Sequence, residues 1–420
     1  MTRRVTTQVG IVGAGPAGLV AALLLLAAGV EVVLVEKEAR AVLEQRPRAG
    51  LVEHRVVEFL RREGLADGLL ARGFPHGWCE MVMEGEALRF DYAALSGGHQ
   101  HWVYPQQHLV ADLLTRLDAL GGACHFDETA RALEDIDRRP RIRCRDREVV
   151  CDYVLCCDGP DSLAAAALPS GSGTGFRYPY DWLTALVHVD RPVEAVAYGV
   201  HAEGFAGLMP RAGRQARLYL QVTPGDDPAR WPAADVRREF AARMGATADA
   251  LPTIDEVIAT DVVRMRGRVS TTVRRGRLLA VGDAAHVLTP SGAKGLNLAV
   301  ADAADAARSL VRWYRDREDD DLAGYSGRRV REAWQVQEFS DRLLNLLHLP
   351  PAADHEAAFQ LRLRRERAVR LLEPGPLGAA FAHWYAGSGR GPDGRGPVDG
   401  PREARTPPAR DAPDDPVRSR

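Results

Sequence analysis

A glycine-rich turn between two short apolar runs constrains this chain more than any other feature. Val9-Gly10-Ile11-Val12 reads as a strand, Gly13-Ala14-Gly15-Pro16-Ala17-Gly18 as a turn opening a helix, and Val32-Val33-Leu34-Val35 as a second strand ending in Glu36. Gly13 permits the tight turn, Gly15 lets a pyrophosphate reach the N–H groups of the helix start, and Gly18 lets helix and strand pack closely. Glu36, 21 residues beyond Gly15, is placed to accept from a ribose 2′-hydroxyl. An acid there suits NAD or FAD and disfavours a 2′-phosphate. The unit is the start of a βαβ nucleotide-binding fold, so the chain is expected to be α/β.

A second loop follows the apolar stretch Leu278-Leu279-Ala280-Val281. It runs from Gly282-Asp283 to Leu298 and leads into an Ala-rich periodic segment, which reads as strand, loop, helix. Gly292 and Gly295 let the backbone approach a ligand, and the helix start aims unpaired N–H groups and a positive dipole end at whatever lies above. Asp283 can accept from a polyol. The arrangement suits a flavin, its ribityl chain on the carboxylate and its negative reduced ring over the helix end. Taken alone, an ordinary βα turn with Asp283 as helix cap would look the same. With the first site present, FAD accounts for both loops, because NAD has no isoalloxazine to fill the second.

At 420 residues the chain can hold two domains or one large α/β unit with an inserted subdomain. Its net charge of −2 favours neither nucleic acid nor a membrane surface as partner. Cys79, Cys124, Cys144, Cys151, Cys156 and Cys157 show no CxxC pair and no metal spacing, so free thiols in a reducing cytosol and no metal are expected. The apolar stretch from Val9 to Leu34 is broken by glycines, Pro16 and Glu31, which argues against a signal peptide or a membrane span. A cytoplasmic protein is expected.

Between the two loops the periodicity changes. Glu44 to Gly50 is basic; its Arg46 and Arg48 either neutralise a pyrophosphate or face solvent, and a helix is expected over Val52 to Gly64. From 77 to 104, short alternations (Met81, Val82, Met83; Leu88, Phe90) predict strands of an added sheet. Tyr104-Pro105-Gln106-Gln107 leads into an amphipathic helix over Leu109 to Leu120. A strand ending in Cys157-Asp158-Gly159 sets another carboxylate at a strand's carboxyl end, where α/β sheets bind ligands. Residues 180–265, including Arg217 to Val222, read as the rest of the added sheet. Helices are then expected to about Arg317 and over 323–347 and 354–372, with a disordered tail beyond Gly387. The expected division is an FAD-binding unit of 1–76, 105–178 and 266–320, a substrate-binding sheet of 77–104 and 179–265, a helical region over 321–387, and the tail, 388–420.

GAGPAG with Glu36, Cys157-Asp158-Gly159 and Gly282-Asp283, in that order, resemble the single-component flavoprotein aromatic hydroxylases, most of all those acting on 4-hydroxybenzoate, across residues 6–390. The resemblance implies a glutathione-reductase-like FAD domain interleaved with a β-sheet substrate domain and closed by C-terminal helices. It implies reduction of FAD by NADPH or NADH, addition of O2 to give a flavin C4a-hydroperoxide, and transfer of one oxygen to a small aromatic acid activated as its phenolate. The FAD contacts it implies are Gly13, Gly15, Ala17, Gly18, Glu36, Arg46, Arg48, Gln106, Asp158, Asp283, Gly292, Leu296 and Asn297. A homodimer is also implied.

Tyr198 matches the family tyrosine that hydrogen-bonds the phenolic oxygen and passes its proton on, Tyr385 the next member of that relay, and His76 its outlet to solvent. A backbone carbonyl at the position of Pro290 orients the phenol. Arg211 and Tyr219 match the residues that hold the carboxylate. Without the resemblance, both relay tyrosines would read as core residues, and His76 and Arg211 as loop residues. Met209 departs from the family, which has a serine there. The lost hydrogen bond is worth about 1 kcal/mol, and a thioether adds apolar bulk, so the substrate is 4-hydroxybenzoate or a substituted analogue. Arg48 and Arg266 match arginines that contact FAD or the nicotinamide donor, but Asp161 replaces a histidine used there, and the donor stays open between NADH and NADPH.

Two other readings share the first glycine motif. Flavin-dependent halogenases resemble one another in a Trp-x-Trp-x-Ile-Pro stretch, which this sequence lacks. A flavin-binding scaffold or sensor without turnover would have no use for Tyr198, Pro290 and Tyr385 together.

Overall fold

A computed structural model describes residues 3–48, 50–169, 171, 173–245, 251–349, 354–387 and 392. The tail expected over 388–420 lies outside the described residues, apart from Pro392. Val9–Val12 and Val32–Val35 are buried along their whole length, as strands covered on both faces are, and pair in parallel with Val9 opposite Val32. Tyr153–Cys156 lies parallel on the other side of Val9–Val12, and Leu278–Ala280 beyond it. Ala123–His125 and the antiparallel Arg274–Arg275 complete six strands. The three turns singled out in the sequence therefore leave the carboxyl ends of three neighbouring strands. Helices Pro16–Ala27 and Lys294–Asp316 pack against each other, the alanines of the second keeping them close.

The second large sheet has seven strands, in the order Ile254–Val263, Asp181–Val189, Gln215–Val222, Gly204–Pro210, Val196–His201, Cys79–Met83, Glu86–Phe90. Side chains alternate between its faces. Leu183, Ala185, Leu208 and Leu218 point to one face and pack under the helix Ala233–Met244. That helix interrupts a stretch read from sequence as sheet; Val236, Phe240 and Met244, four residues apart and buried, were its signal. Tyr198, Gly207 and Tyr219 stand side by side on the opposite face in direct cross-strand register. Helices Asp320–Leu347, Asp354–Leu372 and Pro376–Ala386 cover that face, burying Phe339, Leu343, Phe381 and Tyr385 against Trp182, Tyr198 and Phe205.

Leu51–Val52, His101–Val103 and Phe74–His76 form a small antiparallel sheet where the two large sheets meet. The helices expected after residues 52 and 109 run over His54–Arg62 and Gln106–Ala119. All six cysteines are free. Among the described residues, no helix is long and apolar enough to cross a membrane.

Candidate active site

Physical necessity fixes the three glycines of the first turn differently. Gly13 has φ +97°, and a Cβ there would sit 2.5 Å from the Cys157 carbonyl oxygen. One at Gly18 would sit 2.0 Å from the Gly13 carbonyl oxygen, so both positions are closed by the fold itself. A Cβ at Gly15 would meet nothing within 4 Å. Gly15 precedes helix Pro16–Ala27, where no side chain caps the first N–H groups, so the space above it suits an anion held by backbone. Ala17 is the second residue of that helix. Glu36 is buried at its strand end and is held by the N–H groups of Ala14 (2.7 Å) and Glu38 (2.9 Å). Asp158 accepts from Ser162 and from the Leu163 N–H.

The second loop is braced from behind. Asp302, fully buried on helix Lys294–Asp316, accepts from the Gly282 N–H (2.8 Å), contacts His286 Nε2 (2.6 Å) and pairs with Arg329 (2.5 Å). Gly292 and Ala293 take left-handed conformations, φ +68° and +56°, to turn the chain into the helix. Asn297 is drawn to this loop, but its side chain is committed to protein: it accepts from the Glu53 N–H (2.8 Å) and donates to the carbonyls of Ala293 (2.7 Å) and Leu51 (3.2 Å). Leu296 is half-buried beside it. Asp283 is exposed on the loop. Desolvation by the protein around it raises its carboxyl pKa, and His286, Arg48 and Arg268 pull it back.

Arg46, Arg48, Asp161 and Arg266 are exposed, and Gln106 is half-buried at the start of its helix. Arg46 lies 3.8 Å from Glu38. Arg268, two residues beyond Arg266, is the arginine that reaches the second loop, donating to the carbonyls of Asp283 (3.3 Å) and Pro160 (3.5 Å). Sequence reading passed over it, although Arg266 and Arg268 share one side of the strand Arg266–Ser270.

Between this loop and the seven-stranded sheet lies a cleft of about 700 Å³, counting its solvent-open mouth. Pro290, Gly292 and Ala293 form one wall; Tyr198, Met209, Arg211 and Tyr219 form the other, with Tyr385 closing the end. Leu51, Trp182 and Arg217 also line it and were not foreseen. Arg217 and Tyr219 alternate on one strand, so the expectation for Tyr219 already implied Arg217 on the same face. Trp182 is held by its indole N–H donating to His348 Nε2 (2.7 Å). Burial, with Arg217 nearby, lowers the pKa of Arg211, and Arg217 itself donates to Thr184 (3.3 Å). Arg211 also donates to the Arg48 carbonyl, tying the cleft to the basic loop.

Tyr198 and Tyr385 hydroxyls are 2.8 Å apart and almost fully buried. Burial, with Cys79 next, pushes both well above the ordinary phenol range. Tyr385 is positioned by Lys294, whose buried ammonium donates to the carbonyls of Trp384 (2.6 Å) and Tyr385 (2.9 Å) and to Glu53 (2.6 Å). Burial alone would raise the Glu53 pKa; Lys294 and Arg55 outweigh it and hold it at about 2. His76 is the residue expected at the relay's outlet. It is buried, its Nε2 accepts from the Val196 N–H (3.0 Å), and its Nδ1 is 2.7 Å from the Tyr92 hydroxyl, which donates back to the His76 carbonyl. Burial lowers its pKa to about 4. The strand Phe74–His76 turns it inward, away from solvent.

Residues 6–340 match the FAD binding domain family. The chain is 30% identical to p-hydroxybenzoate hydroxylase of Acinetobacter baylyi over 387 residues, covering 91% of this chain and 95% of that protein. It is 27% identical to 6-hydroxy-3-succinoylpyridine 3-monooxygenase of Pseudomonas putida, covering 82% and 90%. Among solved structures, p-nitrophenol 4-monooxygenase of Pseudomonas putida superposes with a TM-score of 0.71 at 21% identity, over 88% of this chain and 98% of that one. Anhydrotetracycline hydroxylase of Streptomyces rimosus gives 0.72 at 22% identity, over 91% and 76%. At those identities the two structures speak for the fold alone.

Proposed function

Because the chain belongs to the FAD-binding family of flavoprotein aromatic monooxygenases, we propose that it hydroxylates a hydroxybenzoate-type acid, 4-hydroxybenzoate or a substituted analogue, using O2 and NADH or NADPH. What carries this reading is one cleft lined both by Arg211 and Tyr219 and by the buried Tyr198–Tyr385 pair. The residues present fit FAD: open space over Gly15, a fixed acid at Glu36, and a left-handed turn at Gly292 and Ala293 that bares a helix start. FAD bound there supplies the redox chemistry with O2 and the nicotinamide donor.

The chain's own residues bind, orient and move one proton. Arg211 takes the carboxylate, with the Tyr219 hydroxyl beside it. Trp182, Leu51 and Met209 keep water from the ring. The Pro290 carbonyl orients the phenol. Tyr198 accepts the phenolic proton as its own passes to Tyr385 and the proton Tyr385 held leaves toward solvent. Both tyrosines stay protonated far above the range in which a substrate phenol ionises, so the negative charge rests on the substrate, where it makes the ring more nucleophilic.

The test is NADH and NADPH oxidation by the FAD-loaded protein across substituted benzoates, with products identified by mass. Stimulation by para-hydroxylated acids and a product heavier by one oxygen are expected. Equal stimulation by acids lacking a phenol would overturn the reading.

A further inference from the structure

His348 ends the helix Asp320–Leu347, is 3% exposed, and has both ring nitrogens in use. Nδ1 lies 3.1 Å from the Leu344 carbonyl, which assigns it the proton. Nε2 therefore keeps its lone pair and accepts from the Trp182 indole N–H at 2.7 Å. The His348 carbonyl accepts from Arg364 Nε (3.0 Å) on the helix Asp354–Leu372. Tyr180 stacks on the imidazole, 4.2 Å away between centroids and 6° from parallel. Held at its backbone, at both nitrogens and on one face, this ring has no freedom to turn. Burial lowers its pKa to about 3, so the accepting nitrogen stays unprotonated at neutral pH.

His348 is not among the residues that line the cleft, but Trp182 is. The indole stacks on Phe205 (5.0 Å, 21°) and meets the ring of Tyr219 at a tilt (5.1 Å, 59°). Tyr219 is the residue read above as a partner of the substrate carboxylate, so Trp182 is the wall beside that place. Against apolar neighbours alone a flat ring can slide or tilt at small cost. A hydrogen bond to a fixed acceptor removes that freedom, because a buried indole N–H is expensive to leave unpaired.

We propose that His348, acting through Trp182, is the positioning residue that sets the length of acid the cleft admits, favouring a carboxylate borne directly on the ring over one carried on an added methylene. The inference rests on the reading of Arg211 and Tyr219 given above. The two C-terminal helices that meet at His348 thereby shape a cleft wall built on the seven-stranded sheet, without either helix supplying that wall's side chain.

The test is a spectral titration of the bound flavin in the FAD-loaded, full-length protein with 4-hydroxybenzoate and with 4-hydroxyphenylacetate, which adds one methylene between ring and carboxylate. The wild type is expected to bind 4-hydroxybenzoate about fiftyfold tighter, the scale on which a close-fitting pocket senses a methylene. His348→Leu, which removes the acceptor and keeps apolar bulk, is expected to narrow that ratio about tenfold. His348→Gln places an oxygen within reach of the indole and is expected to keep the wild-type ratio. A merely structural role would move both acids alike. His348→Asn, too short to reach the indole, should behave as His348→Leu does, and it decides if His348→Leu fails to fold. The wild-type ratio in His348→Leu or His348→Asn, a ratio as low in His348→Gln as in His348→Leu, or equal binding of the two acids by the wild type overturns the inference alone. Binding of neither acid by the wild type overturns the hydroxybenzoate reading and the inference with it.

Discussion

On the function proposed here, Met209 is the side chain that bears most on which substrate binds. It faces the cleft two residues before Arg211 and opposite Arg217 across the strands, so its thioether lies close to the place assigned to the carboxylate. Met209→Ser returns a hydroxyl at that point, worth about 1 kcal/mol, or roughly fivefold tighter binding of 4-hydroxybenzoate. A spectral titration of the bound flavin checks it; unchanged affinity would place the carboxylate elsewhere. Residues of this kind were legible only through the family resemblance, since nothing in local pattern marks Tyr198 or Arg211. Residues whose work is to hold others were not legible at all. Asp302 gains its meaning from Arg329, on another helix, and only folding brings the two together.

At the scale of elements, the nucleotide turn separates folding from binding. Gly13 and Gly18 are required by the fold, but Gly15 has φ −71° and no neighbour where a Cβ would go. Gly15→Ala is therefore expected to leave the FAD-free protein's stability within about 0.5 kcal/mol of wild type while weakening FAD binding at least tenfold. Gly13→Ala should fold poorly. Thermal melts with and without FAD check both, and tight FAD binding by Gly15→Ala would contradict the placing of the pyrophosphate. The strand, turn and helix here could be read directly, because apolar period and glycine spacing are local signals. Helix Ala233–Met244 could not be, because its apolar positions are few and the strands around it set the expectation. The edge between the sheets was equally hidden: Leu51–Val52 and Phe74–His76 are too short to announce themselves.

For the molecule as a whole, burial of neutral imidazoles sets the response to acid. His76, His101 and His348 are held at about 4, 3 and 3, below the ordinary histidine value of 6.5. The unfolded chain therefore binds more protons than the folded one as pH falls below about 6.5, and stability drops with it. Glu53, held at about 2, adds a loss in the same direction below about 4.5. The melting temperature of the FAD-loaded protein should fall steadily from pH 7.5 to 5; a flat or rising profile would show that these side chains are not buried as described.

Everything at the site converges on one outcome, that reducing equivalents end in a hydroxylated ring. The most direct measurement is the ratio of hydroxylated 4-hydroxybenzoate formed to nicotinamide oxidised by the purified, FAD-loaded protein. A ratio near one is expected, falling sharply in Tyr198→Phe as hydrogen peroxide takes the product's place. Nicotinamide oxidation indifferent to every phenolic acid, or the same ratio with and without the Tyr198 hydroxyl, would contradict the function proposed for this cleft.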